Sequence, residues 1–470
     1  MFSFCPHGFV FGKKGFSYLI KPEYEDGHIL VSGGSGSRKT TSLAIPSLVS
    51  WRHRVFAVDI KGTLQKKTAF ARPSIKVFNP LDHNSYGFDP YFALKVSKNQ
   101  AQTAREIALS IVPHERGEKP FFAEGAQSIL TGAILHFFSL DYSFLETMLA
   151  IQSTPREELI KEIFNSGTEK AGLCVKDFYG MDKETLSNIF PGLSNKIIPF
   201  ITDDDLIDSL SKEKNISPND LENGFDVYLC IPEDKLEEWK SLLTLISRQF
   251  LNHFYRRPDE DKNLTPILFL LDEFPRLGTF EGILHALATL RSKKITICLI
   301  IQDPAQLDMV YGHDATRTIM ANCRYKAILE CSDVKSQEYF SNLIGTEEEI
   351  KTSQNTSYGG EDTDTVRSTG VSETPQEKRI RKPADLAYLP KRNIIDLLSP
   401  DGYFCIKKLP YNAGRFRQCK KLEKLCSLTI DELSIFDMDL PPPAGQVFSF
   451  VQNFKDVAVV GIVPVFNRYK

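Results

Sequence analysis

Residues 28–41 read HILVSGGSGSRKTT, an apolar strand that runs into a glycine-rich turn and then into a helix. A turn with the order Gly, four residues, Gly, Lys and Ser or Thr is the phosphate loop that binds nucleoside triphosphates. Its backbone N–H groups surround the phosphates, its lysine reaches the β and γ oxygens, and its hydroxyl holds Mg²⁺. Gly33, Lys39 and Thr40 fit this order, whereas Arg38 stands where the second glycine is expected.

The whole turn is therefore the predicted ATP site, with Lys39 also catalytic and Thr40 also a Mg²⁺ ligand. If position 38 requires a positive φ, its arginine costs on the order of 1–2 kcal/mol, which is roughly tenfold in nucleotide affinity. A guanidinium aimed at the phosphates would offset part of this loss. The predicted ATP-binding residues are Gly33, Gly34, Ser35, Gly36, Ser37, Arg38, Lys39, Thr40 and Thr41.

Short apolar strands alternate with helices on both sides of the loop, which predicts an α/β fold with a mainly parallel, doubly wound sheet. The strand TPILFLLDEFPRLG ends in Asp272 and Glu273, and ITICLIIQDPAQL ends in Gln302. In an open sheet such strand ends meet at the carboxyl edge, where ligands bind. We expect Asp272 to lie beside Mg²⁺, Glu273 to polarise the attacking water and Gln302 to sense the γ-phosphate.

Each of these residues also has a plain structural interpretation. The two acids can be a solvated strand end, and Gln302 can cap a loop. Asp59 and Lys61 fit a salt-linked turn as well as a place in the site. Arg291 can be the arginine that a neighbouring subunit inserts to neutralise developing charge, but a helix C-terminus favours a cation for its own sake.

Length and charge restrict the class of protein. A chain of 470 residues is long for one core, so two or more domains are expected. The net charge of −3 gives no overall attraction to DNA, which would need a local basic surface or a pore built from several subunits. No apolar run approaches the roughly 18 residues that cross a bilayer, so we expect a cytoplasmic protein.

The distribution of strand and helix signals along the sequence divides the chain into a sheet-containing domain and a helical segment inserted in it. Apolar residues at helical spacing, without strand signals, predict an all-α domain inserted in the sheet. A long polar stretch further on predicts a mobile loop. The segments are 1–98 and 225–411 for the nucleotide-binding domain, 99–224 for the insertion and 412–470 for a C-terminal extension, with the phosphate loop at 33–41, the acidic strand end at 268–278 and the mobile loop at 351–378.

Several segments together resemble the type IV coupling proteins, ATPases that link a substrate to a type IV secretion or conjugation channel. The resemblance runs from about residue 9 to residue 411. It rests on the phosphate loop followed by LAIPSL, and on AVDIKGTL, VFNPLD with GFDPY, FFAEGAQSILTGAIL, LLDEFPRLG, LATLRSKKITICLIIQDPAQLDMVYG and IGTEE.

This resemblance implies a RecA-like domain with an inserted all-α domain that helps to engage substrate, and assembly into a hexamer. It also implies ATP- and Mg²⁺-dependent handling of single-stranded DNA or protein at the inner face of the bacterial cytoplasmic membrane. The implied partners are channel components and relaxase or effector substrates. The family pattern supports Asp272 as the metal-side acid, Glu273 as the catalytic acid and Gln302 as the sensor.

The chain departs from the family in three places. Family members usually begin with transmembrane helices, so we expect this chain to reach the membrane only through an anchor or partner that it does not contain. The segment 59–63 lacks the family's Pro and Glu, and Arg38 replaces the loop glycine.

Two classes of function follow from these observations. The first is a coupling ATPase that drives or gates transfer, favoured by Lys39, Thr40, Asp272 and Glu273. The second is a substrate receptor of the same fold that binds nucleotide weakly or statically, favoured by Arg38. A DNA-translocating ATPase of the chromosome-partition type shares the core but leaves LDEFPRLG and FFAEGAQSILTGAIL unexplained.

Overall fold

The computed structural model describes residues 2–3, 7–60, 62–114, 120–259, 261, 263–278, 282–358 and 366–411. The predicted C-terminal extension, 412–470, and Lys61 lie outside these residues. Twelve of the described strands join one sheet. The strands are β1 (Phe2–Ser3), β2 (Phe9–Lys14), β3 (Ser17–Lys21), β4 (Ile29–Ser32), β5 (Arg54–Asp59), β6 (Ile75–Phe78), β7 (Gly87–Phe88), β8 (Asn215–Ile216), β9 (Asp226–Cys230), β10 (Ile267–Leu271), β11 (Ile295–Ile301), β12 (Tyr325–Ile328), β13 (Thr346–Tyr358), β14 (Val366–Arg379), β15 (Ile394–Ser399) and β16 (Gly402–Lys407).

The sheet has the order β1-β3-β2-β16-β15-β12-β4-β11-β10-β5-β9-β6. From β12 to β6 every pairing is parallel, while β15, β16, β2, β3 and β1 extend the sheet with antiparallel pairings. Every residue of β10 and β11 is buried, as expected for strands covered on both faces. The predicted α/β class with a mainly parallel sheet is confirmed.

Helices cover the sheet and also form a separate helical layer. Among the described helices, none combines the length and the apolar content needed to span a membrane. The helices are α1 (Ile45–Ser50), α2 (Thr63–Thr68), α3 (Phe92–Val96), α4 (Gln100–Ile111), α5 (Pro120–Ser139), α6 (Phe144–Ser153), α7 (Arg156–Ser166), α8 (Glu169–Val175), α9 (Lys183–Thr202), α10 (Asp204–Ser211), α11 (Pro218–Glu222), α12 (Lys240–Phe254), α13 (Ile283–Thr289), α14 (Pro304–Tyr311), α15 (His313–Asn322), α16 (Val334–Ile344) and α17 (Leu389–Arg392).

The segment between β7 and β9 is mainly helical. Helix α5 is its centre, because α4, α6, α7, α8 and α9 all contact it. Polar caps start several of these helices: Ser143 and Glu146 form a reciprocal capping box at α6, and Asp182 accepts the N–H of Thr185 at α9. The range 99–224 contains α4 to α11 and also the short strand β8, which pairs in parallel with β7.

Within the stretch predicted to be a mobile loop, 351–378, the described residues 351–358 and 366–378 lie in a two-stranded antiparallel ribbon, so the prediction of a loop is wrong for these residues. Strands β13 and β14 pair from Thr346 opposite Arg379 to Tyr358 opposite Val366. The side chains of residues 351–354 and 371–378 are exposed. Where both sides of a strand are exposed, as at these residues, no alternation of aliphatic and polar residues is needed, so the sequence carries no strand pattern there.

A buried ion pair ties the helix after the phosphate loop to the sheet. The Arg72 guanidinium donates to both carboxylate oxygens of Asp226 at 2.8 Å. It also donates to the carbonyl oxygens of Leu48 and Trp51 at the end of α1, at 2.8 and 2.6 Å. Asp226 accepts the N–H of Val55 as well, so one buried cluster joins α1, β5 and β9.

We expect Arg72→Met to lower the free energy of unfolding by about 3–5 kcal/mol, because it leaves the Asp226 carboxylate buried and unpaired. Urea denaturation followed by circular dichroism measures the effect. The matched control is the double variant Arg72→Met/Asp226→Asn, in which no carboxylate remains and part of the stability returns. Equal losses in the single and double variants would contradict this account.

Candidate nucleotide-binding site

The phosphate loop begins where β4 ends and is fixed to its neighbour strand. The N–H of Gly33 donates to the carbonyl of Ile301 at 3.2 Å, and the N–H of Ser37 donates to the carbonyl of Gly34 at 3.2 Å. A Cβ atom at Gly33 would lie 2.7 Å from the Ser37 hydroxyl and 3.0 Å from Leu329. The loop therefore requires glycine at this position because its backbone packs closely against both neighbours.

The phosphate loop carries hydrogen-bond donors that can bind an anion. Within the described part of the chain, the backbone N–H groups of Gly34, Ser35 and Gly36 donate to no backbone carbonyl. The buried hydroxyl of Ser37 likewise has no hydrogen-bond partner among the described residues. Consecutive N–H groups before a helix N-terminus form a site for an anion. A nucleotide phosphate fits this donor set.

Arg38 has a φ of 70°, in the left-handed region that favours glycine. Its side chain is exposed, and its carbonyl accepts the N–H of Ser42 at 2.9 Å in the first turn of the following helix. Position 38 therefore has the positive φ that would make an arginine costly in the loop. The backbone strain of a non-glycine residue here is on the order of 1–2 kcal/mol.

The lysine of the loop is held within the loop itself. The Lys39 amino group donates to the carbonyl oxygens of Gly33 and Gly34, the second at 3.2 Å. Thr40 opens a helical run that is π-helical over Thr40–Ala44 and continues as α1. The hydroxyl of Thr41 approaches the carbonyl of Arg38 at 3.5 Å. In this arrangement the Lys39 ammonium is bonded to the loop backbone, at the site proposed for the phosphates.

The predicted strand-end residues meet at the same edge as the loop. In the order β4-β11-β10-β5, parallel pairing places Gly33, Gln302 and Asp272 directly after their strands, with Asp59 ending β5. Burial raises the pKa of Asp272 to about 6; the charges of Glu273 and Asp59 add to the rise, and Lys39 opposes it. Lys39 and Asp272 thus interact electrostatically across the site.

Glu273 follows Asp272 in a strained turn, with a φ of 48°. Its carboxylate pairs with the guanidinium of Arg276 at 3.1 Å, and Arg276 also pairs with Glu233. The N–H of Glu273 donates to the Asp272 carboxylate at 3.1 Å. The predicted catalytic carboxylate is therefore at the site edge, but it is engaged by an arginine.

Gln302 and Asp59 differ in how their side chains are used. The Gln302 N–H donates to the side-chain oxygen of Gln306 at 3.3 Å, so Gln306 caps this turn and the Gln302 side chain does not. Asp59 accepts the N–H groups of Thr63 and Gln65 at 3.1 and 2.9 Å, which caps α2. These bonds give Asp59 a structural role as a helix cap, while the predicted salt link to Lys61 lies outside the described residues.

Arg291 is not brought to the phosphate loop of its own chain. It is exposed in a 3₁₀ turn, Leu290–Lys293, just before β11, and therefore lies at the opposite edge of the sheet from the loop. Burial lowers the pKa of His28, at that same edge, and the charges of Lys21 and Arg291 lower it further. Arg291 therefore lies away from the phosphate loop of its own chain.

Three residues that the sequence analysis did not single out also reach the loop. The Lys408 ammonium, after β16, donates to the carbonyl of Ser37 at 2.9 Å. The Tyr411 N–H donates to the carbonyl of Thr41 at 2.8 Å. A Glu330 carboxylate oxygen lies 2.8 Å from where a Cβ of Gly34 would be. The sequence signal was the strand GYFCIK followed directly by Lys408, but the position of this strand in the sheet could not be predicted from its residues.

Among the described residues, no three His, Cys, Asp or Glu side chains form a group that could hold a metal ion. Mg²⁺ usually binds through one or two carboxylates together with substrate phosphates and water. Thr40 and Asp272 suit that mode, since they offer a hydroxyl after the loop and a partly buried carboxylate at the end of β10, two strands away from β4.

The fold and the loop define a RecA-like P-loop domain with inserted helices. Residues 2–412 match the family described as Type IV secretory system Conjugative DNA transfer, and the chain belongs to this family. Protein VirD4 of Rhizobium radiobacter is 24% identical over an alignment of 341 residues, with coverage of 70% of this chain and 49% of that protein. Conjugal transfer protein TraG of Escherichia coli is 25% identical over 359 residues, covering 69% of this chain and 56% of TraG.

Solved structures of the plasmid coupling protein TrwB share the fold. Its complex with the ATP analogue ADPNP superposes with a TM-score of 0.65 at 19% identity, covering 86% of this chain and 89% of TrwB. An unbound form of conjugative coupling protein TrwBdeltaN70 gives a TM-score of 0.66 at 19% identity, covering 85% and 88% of the two chains. The chain spans about half the length of the VirD4 relatives that it matches.

We expect Asp272→Asn to stabilise the metal-free chain at neutral pH by about 1–2 kcal/mol, because it removes a partly buried carboxylate repelled by its neighbours. The pKa of Asp272 is about 6 when folded and about 3.9 when unfolded. Ionised Asp272 therefore opposes folding fully above the folded pKa, and this opposition fades as pH falls from the folded to the unfolded value.

Urea denaturation in EDTA at a series of pH values measures the difference between Asp272→Asn and the native chain. The difference should be largest near neutral pH and shrink below the folded pKa. Asp401→Asn, at an exposed turn, is the matched control and should show no such trend. A destabilising effect of Asp272→Asn at neutral pH would contradict the electrostatic description of this edge.

Proposed function

We propose that this chain is a coupling ATPase of a type IV secretion or conjugative transfer system. One observation carries the proposal: the phosphate loop, Asp272 and Gln302 converge on one sheet edge in a member of this family. Solved TrwB structures include complexes with ADPNP and with ADP and Mg²⁺. By analogy, ATP with Mg²⁺ is the substrate proposed for the loop of this chain.

Each residue at the edge has a proposed role that its position supports. The loop N–H groups and Lys39 would bind the phosphates, while Thr40 and Asp272 would hold Mg²⁺, which neutralises charge on the phosphate oxygens. Glu273 would orient and deprotonate water, which requires its carboxylate to turn from Arg276. The side chain of Gln302 would sense the γ-phosphate. Arg291 would act on the site of a neighbouring subunit.

The wider setting of this activity also belongs to the proposal. We propose a hexameric ring, in which Arg291, at the sheet edge away from its own loop, would act on the site of a neighbouring subunit. The proposed cargo is a single-stranded DNA–protein complex or a protein effector, delivered to secretion channel components. The proposed location is the inner face of the bacterial cytoplasmic membrane, reached through an anchor or a partner.

A second candidate is a receptor of the same fold that binds nucleotide without hydrolysing it. Two observations favour it: the strained φ of Arg38 and the ion pair between Glu273 and Arg276. Such a protein would use nucleotide as a structural ligand and dock substrate through its helical insertion. Measurement of ATP turnover distinguishes the two candidates, because the coupling ATPase hydrolyses ATP and the receptor does not.

We expect Glu273→Gln to lower Mg²⁺-dependent ATP turnover by about 100-fold or more, the usual contribution of a general base. Nucleotide affinity should stay within a few fold, because the loop is untouched. The assay is phosphate release by the assembled chain, with and without single-stranded DNA. Glu233→Gln is the matched control, since it removes a carboxylate from the same Arg276, and it should retain turnover.

Nucleotide binding without turnover in the native chain, under all of these conditions, would contradict the ATPase and favour the receptor. Turnover that survives Glu273→Gln would place the base elsewhere.

A further inference from the structure

The segment that leaves β16 crosses the phosphate loop and fixes it at two points. Lys408 donates its ammonium to the carbonyl of Ser37, and Tyr411 donates its N–H to the carbonyl of Thr41. Tyr411 is held in turn by Lys67, whose ammonium lies 3.1 Å from its hydroxyl. The two anchored carbonyls flank Arg38 in the sequence, one residue before it and three residues after it.

Lys408 is not a solvated surface lysine. It is 5% exposed, and its ammonium points at a backbone carbonyl of the loop. Burial lowers the pKa of Lys408 to about 8; the Glu330 carboxylate opposes this and Arg38 adds to it. A buried ammonium is retained only where its hydrogen bonds and a nearby carboxylate compensate for desolvation. The Ser37 carbonyl and Glu330 supply that compensation.

The anchors act where the loop is strained. Residues in sparsely populated backbone regions persist when the surrounding structure fixes them. Arg38 has a positive φ without the freedom of glycine, and the carbonyl before it is held by Lys408. Without that bond the chain at Ser37 and Arg38 could relax towards negative φ, which would turn the loop N–H groups away from a common centre.

We infer that Lys408 is a positioning residue that holds the phosphate loop in its phosphate-binding shape and compensates for the arginine at position 38. The ammonium contacts the loop backbone and has no part in the proposed chemistry. The inference rests on the proposed nucleotide site for its consequence, but its structural content concerns the loop alone. It accounts for how a loop without its second glycine keeps the required conformation.

The test is a double-mutant cycle between Lys408→Met and Arg38→Gly, read as the dissociation constant of ADPNP with Mg²⁺ by titration calorimetry. Lys408→Met alone should weaken binding by about tenfold, because the strain falls on the bound form. In the Arg38→Gly background the same change should weaken binding by less than about threefold, since glycine adopts the positive φ freely. Coupling of this size is expected only between residues that share a constraint.

Lys407→Met is the matched control, because it removes the same charge from the adjacent, exposed residue. It should leave the dissociation constant unchanged, and Lys408→Arg, which keeps a cationic donor, should retain most of the affinity. If Lys408→Met does not fold, Lys408→Gln replaces it in the cycle. Equal losses in the native and Arg38→Gly backgrounds, or no loss in either, would overturn the inference.

Hydrogen exchange of the loop amides in nucleotide-free protein separates this inference from the proposed function. Lys408→Met should speed exchange across residues 34–41 relative to Lys407→Met, whether or not nucleotide binds. Failure of the native chain to bind ADPNP, combined with faster exchange in Lys408→Met, would overturn the proposed function alone. Unchanged exchange would overturn the role of Lys408.

Discussion

The parallel ladder between β4 and β11 is the constraint on which the site depends. It sets Ile301 opposite Ser32, so that Gly33 can donate to the Ile301 carbonyl and the loop starts level with Gln302. The ladder of β11 with β10 then brings Asp272 to the same edge. Because strand register fixes these positions, the polar groups converge on one edge of the sheet.

Backbone strain is a second feature of the carboxyl edge of the sheet. Arg38 and Glu273, neither of them glycine, both have positive φ, one in the loop and one after the acidic strand. Such conformations gather at functional sites, where the surrounding structure holds them. Lys408 donates to the Ser37 carbonyl just before Arg38, and Arg276 pairs with the Glu273 carboxylate. The segment after β16 therefore contacts the phosphate loop directly, as β4 does.

Much of this edge could be predicted from the sequence, because buried parallel strands read as apolar runs and their polar exits stand out. That logic located the loop, Asp272, Glu273 and Gln302. The same reasoning could not predict residues whose position depends on tertiary structure. Lys408 follows an antiparallel strand, and the residues of a strand do not specify which strand it pairs with in the sheet. The described side chains of β13 and β14 are almost all exposed and therefore leave no apolar alternation in the sequence. The capping bonds of Asp59 depend on how the chain turns after β5.

The central claim is that this loop, with Arg38 in place of glycine, is a nucleotide-binding site. A crystal structure of the chain with ADPNP and Mg²⁺ tests it most directly. We expect phosphate density in the loop, the Lys39 ammonium moved from the carbonyls of Gly33 and Gly34 to phosphate oxygens, and Arg38 still at positive φ. An empty loop at saturating nucleotide, with Lys39 still on those carbonyls, would contradict the account.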